Sequence, residues 1–392
     1  MSGGIATHVK EIAGVLSEKN RIIVITPYQT TFTESLGNIE VHRIRRLRRR
    51  RFTMVTTILS LTTAANSLRR RVDLFHSHGF PCSGVGFINS GCILVLTVHG
   101  FADLEMITSG RLAADSPALK AMKKFERWVV KRADAIIAVD STIESYLREE
   151  LSASKDKVYC IPNGVDTQQF SPNVERREIR AKYGVKDKDQ LIVVIRKFTP
   201  KNGVENILQG FMLLKKRSEF GNIKLLLAGG GELKARFSKI IKENKLEKSV
   251  MLEDAVPHEE APKYFSAADI IANSITGLTG IREPETSSLL EALEKARPIG
   301  TSITTLEALA SGRPTLVSTA GGRFRGVSQN DVGVLTPDDS EILSDALAKL
   351  LSSRNLLETI GKSGREYVTT KRTWKAVAER VSDVYRFAIS KR

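Results

Sequence analysis

The fold class this sequence predicts is α/β, in two doubly wound halves that each carry a parallel sheet covered by helices. Three observations predict it. Short apolar, β-branched runs recur along the chain, each followed by a loop and a stretch of helical periodicity, the alternation that lays helices over a parallel sheet. This pattern stops at a proline- and charge-rich segment, 171–188, and restarts at 191–195. With 392 residues and about 150 per domain, the chain is long enough for two cores.

In chain order, Ser2-Gly3-Gly4 leads into a helix over 5–19, with Ile5, Val9, Ile12, Ala13 and Leu16 spaced for one buried face. A β-branched strand follows at 21–26, then an arginine block and an apolar helix at 54–68. Strands at 72–77, 92–98 and 135–139, with 159–162 closing the half, complete the first domain. The second takes strands at 191–195, 223–228, 250–252, 270–273, 315–318 and 332–335, with helices between, and an amphipathic helix at 374–389 ends the chain. The expected boundaries are 1–170 and 171–371, with 372–392 packing back on the first domain. Ligands of such sheets bind beyond the carboxyl ends of the strands, so two facing halves offer one cleft.

The stretch TSITTLEALASGRPTLVSTAGG, 301–322, is the most informative. Thr301 and Ser302 can cap a helix whose N-terminus holds phosphate, Glu307 lies in its second turn, and Gly312 before Pro314 stops it. A buried strand follows, and Gly321 and Gly322 let the backbone turn tightly and approach a ligand. Residues 290–298, with Leu-Glu-Ala-Leu and then Arg-Pro, repeat this pattern sixteen residues early. That marks an inserted helix or a local duplication, too short for a solenoid.

The net charge is +16, and much of it is local: Arg43, Arg45, Arg46, Arg48, Arg49, Arg50 and Arg51 crowd together. Such a block points to phosphate-rich partners, nucleic acid or an anionic membrane surface. Only Phe52 adjoins it, so base stacking is unsupported and nucleic acid is the weaker partner. Cys82, Cys92 and Cys160 have neither metal-ligand spacing nor an even count, which fits a reducing cytoplasm. No apolar run reaches the length that spans a bilayer. His76 and His78 in FHSHGF are a weak metal pattern, because no third ligand is evident in the sequence.

The segments GGIATHVKEIA, LTVHG, IPNGVDTQQFSP, PKNGVENILQGF, LLLAGGGEL, VPHEEAPKYFSAADIIANS, LEALASGRPTLVSTAGG, GVLTPDD and RTWKAVAERVSDVY follow one another along the chain. In that order they resemble the retaining glycosyltransferases of family 4, which have the GT-B architecture of two Rossmann-like domains. The resemblance implies transfer of a sugar from a nucleotide diphosphate sugar to an acceptor hydroxyl with retention of configuration. It implies no cofactor and no metal: cations and backbone N–H groups meet the charge that develops on the leaving diphosphate. Asp187-Lys188-Asp189 lies in the charged connector and makes no metal motif.

The resemblance assigns the residues. Arg196 and Lys201 form the phosphate clamp, although anchoring on Pro200 and Gly203 aligns Lys197 and Asn202 instead. Glu307 accepts both ribose hydroxyls, a task for a two-oxygen acceptor. His99 faces the donor sugar from the end of a first-domain strand. Gly3, Gly4, Gly230 and Gly231 leave room for the diphosphate. The family's partner glutamate lies eight residues before Glu307, and here that position is Ile299. Glu283 and Glu291 have the right spacing, and Glu283 is the candidate, with Glu285 beside it; otherwise the carboxylate is absent. The arginine block, Arg45 to Arg51, would rest on anionic lipid and present a lipid-linked or membrane-associated glycan acceptor. A GT-B scaffold that binds nucleotide sugars without catalysis is the competing reading. Family members also begin with a strand ahead of the glycine loop, so the chain is expected to lack that strand and to have a gap beside 21–26. Donor base, acceptor and oligomeric state are not legible in the sequence.

Overall fold

The computed structural model describes residues 3–45, 53–80, 82, 84, 91–101, 103, 106–107, 112–113, 115–275, 302–319, 334–337 and 339–391. By its internal contacts the chain separates into two units, residues 1–163 with 374–392, and residues 164–373.

Unit 1 begins with α1 (Gly4–Leu16), then β1 (Ile22–Tyr28), β2 (Phe32–Leu36), β3 (Ile39–Arg45), α2 (Thr53–Leu68), β4 (Leu74–His78) and β5 (Ile93–Val98). It continues through α3 (Pro117–Arg132), β6 (Ala135–Ala138), α4 (Ser141–Glu149) and β7 (Val158–Cys160). Its strands form two sheets, β1-β3-β2 and β4-β5-β6-β7. Within the first, β1 runs parallel to β3 and β2 antiparallel to it. Among the described residues, β1 has a ladder partner on one side only, and so has β4. All six residues of β5 are buried, as expected of a parallel strand covered on both faces. Leu94, Leu96 and Val98 pack with Val129, Ile136 and Leu147 in the core of this unit.

The β2–β3 hairpin is not evident from the sequence pattern, because Glu34 interrupts the one strand and Glu40, Arg43 and Arg45 the other. Gly37 turns the chain at φ 59°. Arg43 is then drawn into an ion pair with Glu34, with its guanidinium 4.9 Å from the Tyr28 ring centre. The buried face of α1 is also turned from the one expected: it is His8, Ile12, Ala13 and Leu16, while Ile5 is exposed.

Unit 2 contains α5 (Arg177–Lys182), β8 (Gln190–Ile195), α6 (Val204–Lys215), β9 (Ile223–Ala228), α7 (Lys234–Glu243), β10 (Val250–Glu253) and α8 (Ala261–Ala267). After β11 (Ile270–Ile275) come α9 (Ile303–Ala310), β12 (Thr315–Thr319), β13 (Val334–Pro337), α10 (Ser340–Leu351) and α11 (Arg354–Lys371). Six parallel strands stand in the order β10-β9-β8-β11-β12-β13, the doubly wound order that reverses between its first strand and its fourth. Along β8, Leu191 and Val193 enter one core while Ile192 and Val194 enter the other. This is the period-2 signature of a central strand buried on both faces.

The charged segment read as a connector holds α5, which Arg180 fastens. Its guanidinium is nearly buried and donates to Asp269 and to the carbonyls of Ala267, Lys186 and Asp189. The last helix, α12 (Trp374–Ser390), returns to unit 1 and packs on α1 and β5. No helix among the described residues is long and apolar enough to cross a membrane.

Candidate active site

In unit 1 the chemistry gathers at the carboxyl ends of β4 and β5. Side chains alternate across a strand, so His76 and His78 share one face of β4. Register places His78 opposite Thr97, whose side chain shares a face with His99, just past the end of β5. His76 is fully engaged, with Nδ1 2.6 Å from the Tyr385 hydroxyl and Nε2 2.6 Å from Thr97 Oγ1. His78 Nδ1 lies 3.1 Å from His99 Nε2.

Helix α1 supplies a fourth imidazole. The His8 ring stands edge-on to that of His99, with ring centres 4.6 Å apart. Its Nδ1 lies 2.9 Å from Asn163 Oδ1, an acceptor, so Nδ1 carries the proton. Trp374 closes the far side of the His8 ring. Burial pulls His8 down to about 4, the Asn163 bond only partly opposing it, and pulls His76 down to about 3. Burial, reinforced by the neighbouring rings, also holds His78 and His99 well below the ordinary imidazole range. At neutral pH the cluster is uncharged and can donate or accept hydrogen bonds to a sugar hydroxyl.

In unit 2 the corresponding ends are those of β8, β9 and β11. Arg196 follows β8, and burial lowers its guanidinium to about 10, still cationic at neutral pH. The backbone after β8 is stitched to the loop after β9: Arg196 N–H donates to Ala228 and Phe198 N–H to Gly230. A Cβ on Gly229 would stand 1.9 Å from the Arg196 carbonyl oxygen, and one on Gly231 2.4 Å from that of Phe198. Glycine is therefore required here by the approach of two backbones. Gly230 has only Ala255 near, at 3.9 Å. Ser302 caps α9, its hydroxyl accepting from Thr305 N–H. One turn further, Glu307 is buried, and its Oε1 lies 2.6 Å from Nε2 of His258.

Arg196, Gly230, Gly231, Ser302 and Glu307 thus belong to unit 2, and His99, Gly3 and Gly4 to unit 1. Gly3 starts α1 with φ 123°, a backbone conformation L side chains rarely adopt. Lys201 lies in a short 3₁₀ turn, Pro200–Asn202, where Asn202 Nδ2 donates to the Lys197 carbonyl. Arg45 ends β3, its N–H donating to Thr31 Oγ1. Glu283, Thr301, Gly321, Gly322, Arg46, Arg48, Arg49, Arg50 and Arg51 lie outside the described residues, as does Ile299.

Sequence reasoning missed His8, Asn163 and His258. The signal for His8 was present: it stands four residues before Ile12 on the same helical face, but a scan for apolar residues passes over an imidazole. Asn163 stands in IPNGVD and His258 in VPHEE, segments already singled out for other reasons.

Comparison with known proteins agrees with this layout. Residues 2–169 match the family model described as Glycosyltransferase Family 4, and residues 175–299 that of Glycosyl transferases group 1. The D-inositol 3-phosphate glycosyltransferase of Corynebacterium glutamicum is 24% identical over 86% of this chain and 78% of its own. A GDP-mannose-dependent alpha-(1-6)-phosphatidylinositol monomannoside mannosyltransferase of Mycobacterium tuberculosis is 24% identical over 68% of this chain and 66% of its own. Among solved structures, sucrose-phosphate synthase from Thermosynechococcus elongatus superposes with a TM-score of 0.77 at 19% identity, covering 100% of this chain and 95% of that one. With two Rossmann-like domains, family matches along both, and histidine and carboxylate groups at the carboxyl ends of their sheets, the chain belongs to the family 4, group 1 glycosyltransferases of the GT-B fold, which transfer sugar from a nucleotide sugar.

Proposed function

We propose that this glycosyltransferase moves its sugar to a hydroxyl of a lipid-linked or membrane-associated glycan, with retention of anomeric configuration and without a metal ion. Glu307 carries the reading. A carboxylate buried in the second turn of a helix, at the carboxyl edge of a doubly wound sheet and steadied by His258, suits the paired hydroxyls of a ribose. Arg196, with Lys201, meets the charge on the departing diphosphate, and the N-terminus of α9 adds oriented backbone donors. His99, held neutral by partial burial and its neighbouring rings, hydrogen-bonds the donor sugar. The arginine-rich stretch from Arg45 onward supports an acceptor held at an anionic surface, where each cation contributes about 1 kcal/mol. The phosphatidylinositol-linked acceptor in the name of the mycobacterial relative points the same way.

The test is nucleotide binding and transfer by wild type and Glu307→Ala, with UDP-, GDP- and ADP-sugars. The variant should lose about 1.5 to 3 kcal/mol of nucleotide affinity per hydrogen bond removed. NMR of the first-formed wild-type product should show the donor's anomeric configuration, EDTA should leave the rate unchanged, and anionic vesicles should retain the protein. Unchanged affinity in a folded variant would take the ribose from Glu307; an inverted product, or loss of rate with EDTA, would refute the mechanism. A second reading, a nucleotide-sugar-binding protein without catalysis, is favoured by Ile299 at the expected glutamate position. Nucleotide binding with no turnover of any donor would establish it.

A further inference from the structure

Within unit 1, three imidazole nitrogens converge from elements distant in sequence. One each from His8, His78 and His99 lie within 4.8 Å of one another. The sequence suggests at most the pair in FHSHGF, with no third ligand; the fold brings His8 from α1 and His99 from the end of β5. The tautomer of His8 suits a ligand. Asn163 Oδ1 accepts from Nδ1–H, which leaves the lone pair on Nε2. That Nε2 is buried and has no hydrogen-bond partner among the described residues. A buried, unsatisfied nitrogen of this kind calls for an explanation, and a bound ion is one. A carbonyl that fixes the tautomer of an imidazole from behind is the usual outer partner of a metal-binding histidine.

The distances agree. Two ligands bound tetrahedrally at about 2.0 to 2.1 Å stand about 3.3 Å from each other. His78 Nδ1 and His99 Nε2 are 3.1 Å apart. The widest separation in the triad, at most 4.8 Å, needs closing by about 1.5 Å to reach that geometry. One ring of the His78–His99 pair must shift its proton to its other nitrogen, so both lone pairs face inward. His78 and His99 are partly exposed, which leaves a fourth position to water. Three imidazoles and a water suit late first-row divalent cations, zinc above all, better than magnesium or calcium.

We propose that His8, His78 and His99 form a zinc-binding site that sequesters His99 when filled, making zinc an inhibitor of transfer. The site stands on its own geometry; its effect on transfer rests on the donor role of His99 proposed above.

The probe is zinc chloride added to the full chain after treatment with EDTA. Calorimetry should give one tight site, and zinc K-edge absorption of the equimolar complex should show three imidazoles with a light fourth ligand and no sulfur. His8→Gln and His78→Gln should each weaken binding at least about tenfold, and Asn163→Leu about 10- to 100-fold by releasing the His8 ring. Circular dichroism melts establish that each variant is folded. Fewer than three imidazoles around zinc in the wild-type protein would overturn the site whatever the variants do, and so would unchanged affinity in folded variants. Transfer should stop on saturation with zinc and recover on chelation. Zinc held by three imidazoles with transfer unimpaired would uphold the site and overturn the donor role of His99.

Discussion

The two units solve the same architectural problem with different completeness. In unit 2 the central strand β8 has β9 on one side and β11 on the other, within one six-stranded sheet. In unit 1 the strands fall into sheets of three and four, and β1 and β4 each bond to a single neighbour among the described residues. Backbone pairing stabilises a sheet cooperatively only where ladders are continuous, and a strand paired on one side leaves a row of N–H and C=O groups to water or to other partners. Unit 2 is thus held together by its sheet. Unit 1 depends more on helices and side chains, among them the clustered histidines at the ends of β4 and β5.

Breaking unit 2 takes a buried charge. Arg180→Met would strip Asp269 of its buried partner and take a donor from the carbonyls of Ala267, Asp189 and Lys186, the last of which keeps the N–H of Asp189. Removing one member of a buried pair typically costs about 3 to 5 kcal/mol. Urea denaturation should show that loss in the unit 2 transition, with unit 1 unchanged; a loss below 1 kcal/mol would mean that Arg176, also bonded to Asp269, suffices alone.

A second test concerns acid and unit 1 alone. Below pH 6.5 an unfolded chain protonates histidines that the fold keeps neutral, His8 down to about 4 and His76 to about 3. The unfolded state then binds more protons, so stability falls as pH falls. Glu126 works in the opposite direction. Buried and bonded by the Tyr146 hydroxyl, its carboxyl is pushed by burial up to about 7. Between 4.5 and 7 the folded state therefore holds the extra proton, and stability rises as pH falls. Glu126→Gln removes that compensation, so the stability of unit 1 should fall more steeply from pH 7 to pH 5, by about 2 kcal/mol across the window, read from urea denaturation at each pH. Parallel pH profiles for wild type and variant would show that Glu126 titrates normally.

Native-state hydrogen exchange sharpens the contrast directly. Amides of β1 should open with free energies about 2 to 3 kcal/mol below those of β8, because local opening follows the poorly laddered elements. Equal protection would mean that something other than β3 secures β1. The smallest effect is expected at Arg43→Ala, which removes a partly exposed ion pair with Glu34 and a cation above the Tyr28 ring. About 1 kcal/mol, seen only in unit 1, is the expected cost.

The same contrast decided what could be read from sequence. The strands of unit 2 were legible to within about two residues, with 223–228 matched at both ends and 332–335 observed two residues later, at Val334–Pro337, because parallel strands of a covered sheet are continuous apolar runs. In β2 and β3 Glu34 and Arg43 share the face of the buried Val41 and pair with each other across the hairpin, while His42 bonds Glu40 along its own strand, where no sequence scan sees them. Arg180 made α5 look like a linker, since its burial is satisfied by carbonyls contributed from elsewhere. The carboxylate Glu307 was legible from its place in a helix after a capping serine. His8 was not, because its partners Asn163, His99 and Trp374 lie far along the chain.

That distance has a consequence for synthesis. Residues 164–373 are contiguous and contain every strand of the six-stranded sheet, so unit 2 can form that sheet before α12 leaves the ribosome. Unit 1 cannot finish then: Trp374 against His8 and Tyr385 on His76 arrive only with the last helix. Unit 2 is ready first, and the histidine cluster of unit 1 is completed only once α12 has emerged, leaving the nascent chain with a sheet waiting for its cover.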